Sequence, residues 1–199
     1  MAKITLKYLK CIVIVHGKSE KQICEYIKLN LRQKMEIISK SKGENSIQIN
    51  GIRKMLDKDA RFATQNGFIR EFSDVEITTV KRKKVISPDL KIFIIMDTDD
   101  CTEETKKKYI SKELFKGHWA YDYIYPIFNS PELETIMVKA GIKFEKKGEE
   151  RKKEYIKIFP TDQKYLHNEG VELQDFSNKL KSINKTNLNE FIEYCLSNN

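Results

Sequence analysis

Three short polar stretches stand directly behind apolar runs in this 199-residue chain, and each holds residues able to ligate a cation or move a proton. Cys11 to Val15 is followed by His16-Gly17-Lys18-Ser19-Glu20, and Ile92 to Met96 by Asp97-Thr98-Asp99-Asp100. A third run, Tyr121 to Phe128, leads into Asn129-Ser130-Pro131-Glu132-Leu133-Glu134. Carboxylates two apart at a strand end project into one small volume, and a hard divalent cation is the simplest relief of their repulsion. Asp97 and Asp99 have that spacing, while Asp100 reads as a turn residue leading into the next helix. Glu132 and Glu134 supply further carboxylates if the third run lies beside the second. His16 has the chemistry of a base near neutral pH or of a transition-metal ligand; a structural role is equally open to it.

These residues need a scaffold, and the pattern around them supplies one. Lys10 to Val15 and Lys91 to Met96 are apolar on both faces, as expected of central strands in a covered parallel sheet. After the first strand, Ser19-Glu20-Lys21-Gln22 fits a capping box, and Ile23, Ile27 and Leu31 form the stripe of a helix running to about Arg32. Thr102 caps the helix after the second strand, with Glu103 and Glu104 in its first turn, and Pro131 is placed to open a helix carrying Leu133, Ile136 and Met137. Between Gln33 and Asp89 the signal is weaker. Either Met35 to Ile38 or Ile47 to Ile49 is a strand, Ile52 to Lys58 is helical, and Arg61 to Phe72 offers a helical face. Further helices are expected at Glu149 to Phe159, Leu173 to Leu180 and, behind an Asn187-x-x-Glu190 capping box, Leu188 to Leu196. Strands alternating with helices imply an α/β fold whose chemistry collects at the carboxyl ends of the strands.

Gly17-Lys18-Ser19 is not a phosphate-binding P-loop, because the glycine required five residues earlier is replaced by Ile12. Asp97 as a phosphotransfer nucleophile would want Thr or Val at position 101, where Cys101 stands. Composition adds bounds. The chain is 40% hydrophobic with few Pro and Gly, which excludes a disordered class, and no apolar stretch approaches the roughly 20 residues of a membrane span. Cys11, Cys24, Cys101 and Cys195 form no Cys-x-x-Cys pair and read as reduced thiols of a cytoplasmic protein. The formal charge of +8 fits a polyanionic partner. Its densest cluster is Lys81-Arg82-Lys83-Lys84, a candidate phosphate-contacting loop together with Lys18; Lys139 to Lys157 reads as a solvated mixed-charge face. His118 and His167 have no partner legible in the sequence.

The order of motifs resembles the Toprim domain of topoisomerases, primases and OLD-family nucleases. More narrowly, "IVIVHGKSEKQICEYI" and "FNSPELETIM" are similar to small RloB-like and OLD-type Toprim proteins of phage defence. Gly17, Ser19 and Glu20 match the first motif, Asp97 and Asp99 the second, and Glu134 the third, over about Lys10 to Gly141. His16 stands where the family has a glutamate. That leaves three outcomes: a site retuned to a softer metal, a site in which Glu20 or Glu134 supplies the missing carboxylate, or a site without chemistry.

The resemblance implies a Rossmann-like, mostly parallel sheet with helices on both faces over residues 1–141, and a helical extension packed on it over 142–199. It implies a nuclease using Mg2+ or Mn2+ on DNA or RNA in abortive infection, with Asp97, Asp99 and Glu134 holding metal and His16, Glu20 and Glu134 in the catalytic positions. Nucleic acid is the expected partner, with an ABC- or AAA-type ATPase subunit and a homo-oligomer as further possibilities, and no membrane. The rival reading is a Toprim-like module that has lost its chemistry and binds nucleic acid or an ATPase.

Overall fold

The computed structural model of the chain describes residues 8–80, 82–146, 149–161 and 170–198. The strand β1 (Cys11–Val15) is buried along its whole length, as its unbroken apolar run requires. It lies at the heart of a four-stranded parallel sheet with β2 (Met35–Ile38) on one side and β5 (Lys91–Asp97), then β6 (Ile124–Asn129), on the other. Of the two stretches competing as second strand, Met35 to Ile38 pairs with β1, while Ile47 bonds to the residue after β1, donating its N–H to the His16 carbonyl and accepting from the His16 ring through its own carbonyl.

Side chains alternate across a strand, so the sheet buries two different faces. Cys11, Val13, Val15, Phe93, Ile95 and Ile127 meet α1 (Lys18–Asn30), α5 (Leu133–Lys139), α6 (Glu149–Ile158), α7 (Val171–Lys181) and α8 (Leu188–Ser197). On the reverse face Ile12, Ile14, Ile92, Ile94 and Met96 meet α2 (Ile49–Lys58), α3 (Gln65–Glu71) and α4 (Glu103–Ile110). Each fully buried isoleucine or leucine in these layers contributes about 1.5–3 kcal/mol. Tyr155, Phe176, Phe191 and Cys195 share one core with β1 and α1, so the helices beyond residue 141 complete a layer of the sheet.

Local capping departs from the sequence reading in three places. α1 starts two residues early: Gly17 is its N-cap, and Glu20, at the third helical position, accepts the Gly17 N–H at 2.9 Å. Gln22, expected in the box, instead donates to the Phe159 carbonyl. Asn187 does not cap α8 with its side chain; it clasps β6, accepting from Phe128 N–H at 2.9 Å and donating to the Pro126 carbonyl at 3.1 Å. Pro131 stays outside α5, its carbonyl accepting from Thr98 N–H at 2.8 Å, and Glu132 is the N-cap. Thr102 caps α4 as expected, accepting from Thr105 N–H at 3.2 Å.

The helix expected over Arg61 to Phe72 shrinks to α3, and a β-hairpin follows that the sequence did not announce. It pairs β3 (Ile77–Val80) with β4 (Lys83–Ile86), turning through Arg82 at a φ of 67°. Leu9 N–H to Asp74 and Tyr123 hydroxyl to Ile86 fasten its root at the amino end of the main sheet. Among the described residues of the mixed-charge stretch, Lys143, Glu145, Lys146, Glu150 and Lys153 are exposed, with Lys146 paired to Glu150, while Glu154 is half-buried and accepts from Glu145 N–H at 2.9 Å. The four cysteines are free thiols, and His118 is buried, its Nδ1 accepting from Ala120 N–H. Among the described residues no helix is long and apolar enough to cross a membrane. His167 and Lys81 lie outside the described residues.

Candidate functional site

Each parallel strand ends at the same edge of the sheet, so its last residues and the first turn of the following helix surround one volume. The β1–α1 junction delivers His16, Lys18, Ser19 and Glu20; β5 delivers Asp97, and the β6–α5 junction delivers Asn129 and Glu134. Ser19 Oγ donates to Glu134 Oε1 at 3.0 Å, tying the starts of α1 and α5 together across 115 residues of sequence.

His16 is held by backbone on three sides. Its N–H donates to Ile95, its carbonyl accepts from Ile47 N–H, and its Nδ1 lies 2.9 Å from the Ile47 carbonyl. A carbonyl can only accept, so Nδ1 carries a proton, and a ring with one proton presents Nε2 as a lone pair. That tautomer suits a base or a metal ligand.

Asp97, 6% exposed, accepts through Oδ1 from Leu133 N–H at 3.0 Å and Asn129 Nδ2 at 3.2 Å. Asn129 is fully buried and its Oδ1 accepts from Thr186 Oγ1 at 2.9 Å, while Ser130 N–H donates to the Lys185 carbonyl. The α7–α8 link therefore holds Asn129, and through it Asp97, in place. Burial, and then the neighbouring charge of Glu20, pushes the Asp97 carboxyl up to about 9 against the opposing hydrogen bond from Asn129; Glu134 and Asp99 push it the same way. Glu20 is also raised, chiefly by burial, with His16 opposing and Glu134 adding to the rise. Burial thus disfavours charge on Asp97 and Glu20, and both feel the charge of Glu134.

Asp99 and Asp100 both lie in the turn after β5, as read for Asp100, but they face differently. Asp99 is exposed, whereas both carboxylate oxygens of Asp100 are buried without a hydrogen bond, and burial raises its pKa against the influence of His16. A turn follows Asp97, so strand parity no longer decides which aspartate faces inward. Two further residues had no role assigned from the sequence. Asn129 reaches the site only through its contact with Asp97, and Lys106, whose Nζ donates to Ser130 Oγ at 2.9 Å, places a cation at the rim. A basic residue in the first turns after Thr102 was the available signal for Lys106.

The predicted basic residues do not gather round this centre. Lys18 is near it but pairs with Glu44 at 3.2 Å. Arg82, Lys83 and Lys84 are exposed on the hairpin, whose root is separated from Asp97 by the seven residues of β5, about 20 Å at about 3.3 Å per residue.

Among the described residues, no three His, Cys, Asp or Glu side chains are drawn into a ready metal cage. The donor chemistry nevertheless suits a hard cation. Asp97, Glu20 and Glu134 each engage one oxygen with a protein donor, and the second oxygen of each takes no protein hydrogen bond among the described residues. No family model, curated protein or solved structure matches the chain.

Proposed function

We propose that this protein hydrolyses phosphodiester bonds in DNA or RNA with Mg2+ or Mn2+, as the Toprim nucleases that its sequence resembles do, in a cytoplasmic phage-defence role. The observation that carries the reading is the convergence of Glu20, Asp97 and Glu134 at one edge of the sheet, Ser19 holding Glu134 and Leu133 N–H holding Asp97; burial raises Asp97 to about 9 and raises Glu20, a cost that a cation between them would relieve. Asp97, Glu134 and Glu20 would hold the cation, with Asp99 at the exposed rim. A cation bound there supplies Lewis-acid polarisation of a phosphoryl oxygen and a more acidic water.

The chain's own groups do the rest. His16 Nε2 accepts a proton from the attacking water, and the Ile47 carbonyl fixes the ring so that this nitrogen stays the acceptor. Ser19 holds Glu134, and Asn129 with Leu133 N–H holds Asp97, so neither carboxylate must reorganise. Lys106, beside Ser130, offsets negative charge on an incoming phosphate. The test is incubation with plasmid DNA and single-stranded RNA over Mg2+ and Mn2+. Cleavage is expected, with a loss of at least about 100-fold in Asp97→Ala, beyond what loss of a group that merely orients a ligand costs; cleavage unchanged by that substitution removes the assignment.

A second reading, a Toprim-like module that binds nucleic acid or an ATPase without cleaving, is favoured by the engagement of three carboxylates within the fold: Glu20 on its own helix cap, Glu134 on Ser19, Asp97 on Asn129. It predicts salt-dependent nucleic-acid binding that Asp97→Ala leaves intact, with no cleavage under any cation.

A further inference from the structure

The Ser46–Gln48 segment that secures His16 also walls a cavity of about 420 Å3. One side is the end of β2 and the residues after it, Ile38 to Lys40; the other is α2, which presents Gly51, Met55 and Asp59 at a spacing of four. Eight residues of helix span about 12 Å, so the cavity is long rather than round. Pockets of roughly 300–1,000 Å3 hold small ligands.

Gly51 is the informative residue. Glycine is the poorest helix former but proline, and nothing in the protein requires it here: a Cβ at 51 would meet no atom within 4 Å, and its φ is not positive. Its missing side chain keeps the cavity open. The same end of α2 is prepared for an anion. Gln48, the N-cap, makes no side-chain cap and the first turn has no acidic residue; the Gly51 N–H donates to the Gln48 carbonyl, while the N–H groups of Ile49 and Asn50 have no acceptor among the described residues, with exposed Lys40 on the facing wall. Ile38, Ile47 and Met55 give the middle of the cavity an apolar lining. At the far end, Asp59 pins Arg61 by Nε and Nη2 and leaves the guanidinium Nη1 without a protein acceptor among the described residues.

We propose that this cavity is a nucleoside-phosphate site. The phosphate lies at the start of α2 beside Lys40, and the base lies along Ile38, Ile47 and Met55. The Asp59–Arg61 pair offers one acceptor and one donor to its edge. The site stands on its own residues, independent of whether the acidic centre cleaves anything. A free nucleotide and a nucleotide unit of a strand present the same chemistry, and the test separates them.

Calorimetric titration of the full chain with AMP, GMP, CMP and UMP, adenosine, inorganic phosphate and a six-nucleotide RNA is the direct measurement. At least one monophosphate or the oligonucleotide is expected to bind with a dissociation constant below about 1 mM. Gly51→Leu, which suits a helix and fills the cavity, should weaken that binding by about 10-fold or more, and Lys40→Ala should weaken phosphate-bearing ligands but not adenosine. Circular dichroism confirms that both variants fold. Tighter binding of the oligonucleotide than of any monophosphate assigns the site to a strand, and the reverse assigns it to a free nucleotide. Absence of binding by all probes, binding of phosphate as tight as that of the nucleotide, or affinity unchanged in folded Gly51→Leu overturns the proposal.

Discussion

At the carboxyl end of the parallel sheet Glu20 and Asp97 are 3% and 6% exposed and lie among other acids, with Asn129 and backbone N–H groups aimed at them and Ser19 donating to Glu134 beside them. At the amino end Arg82, Lys83 and Lys84 stand in solvent on the β3–β4 hairpin, and Lys91 and Lys112 lie over the ring of Tyr125. Both ends are rich in ionisable side chains, and they treat charge differently. Where charge is buried it is expensive, so it is either protonated or neutralised by something that arrives; where it is exposed it is cheap and screened. A net charge counted over the whole chain averages these two regimes and describes neither.

The contrast breaks most readily at Asn129. Asn129→Ala removes one of the two donors to Asp97 Oδ1 and leaves the buried Thr186 hydroxyl without its acceptor, a loss expected to cost about 2–4 kcal/mol in urea unfolding at about 1–3 kcal/mol per stranded group. A cost below about 0.5 kcal/mol, the level of an ordinary surface substitution, would mean that the acidic end is no more rigidly held than the hairpin.

The pH dependence is the next largest effect. The Asp97 carboxyl sits at about 9 in the folded chain, above the unfolded value near 3.9. Its contribution to stability is complete below the unfolded value and is lost as pH rises toward and through 9. Without added cation, the melting temperature should therefore fall between pH 6 and pH 9. Asp97→Asn, which mimics the neutral acid, should flatten that fall and melt at least about 2–4 °C higher at pH 8.5, the shift that about 1 kcal/mol produces in a chain of this size. An unaltered slope in Asp97→Asn would place the titrating group elsewhere.

The smallest effect on stability belongs to the hairpin. Replacing Arg82, Lys83 and Lys84 together with serine should change stability by no more than about 0.5 kcal/mol and leave cleavage per bound substrate unchanged. If this end holds nucleic acid, the slope of log affinity against log salt should become shallower by about 2–3. A slope that stays the same would leave the cluster as a solubilising feature.

The sequence revealed those parts of the fold whose signal is local. β1 and β5 are unbroken apolar runs, α7 and α8 carry clear stripes, and Thr102 announces α4. The β3–β4 hairpin stayed hidden because it shows most of its side chains to solvent on both faces, so no alternation of apolar and polar residues marks it. At the site, Asp97, Glu20 and Glu134 were legible as residues that end strands or begin helices. Asn129 and Thr186 act through a contact between positions 57 apart, and the inward turn of Asp100 depends on a loop conformation; neither leaves a periodic trace.

The packing of α8 on β1 has a consequence for how the molecule is made. Tyr194 donates to the Lys10 carbonyl across 184 positions, and Cys195 shares a core with Cys11, so a strand near the middle of the sheet emerges from the ribosome long before the helix that shields it. Until then one face of β1 and the inner stripe of α1 have no cover, and Asn129 lacks Thr186. The nascent chain must hold back its final collapse over most of its synthesis, with its apolar strand open to wrong partners and to chaperones. The acidic centre is thus assembled late, by residues that arrive after those they orient, and a prematurely terminated chain would not build it.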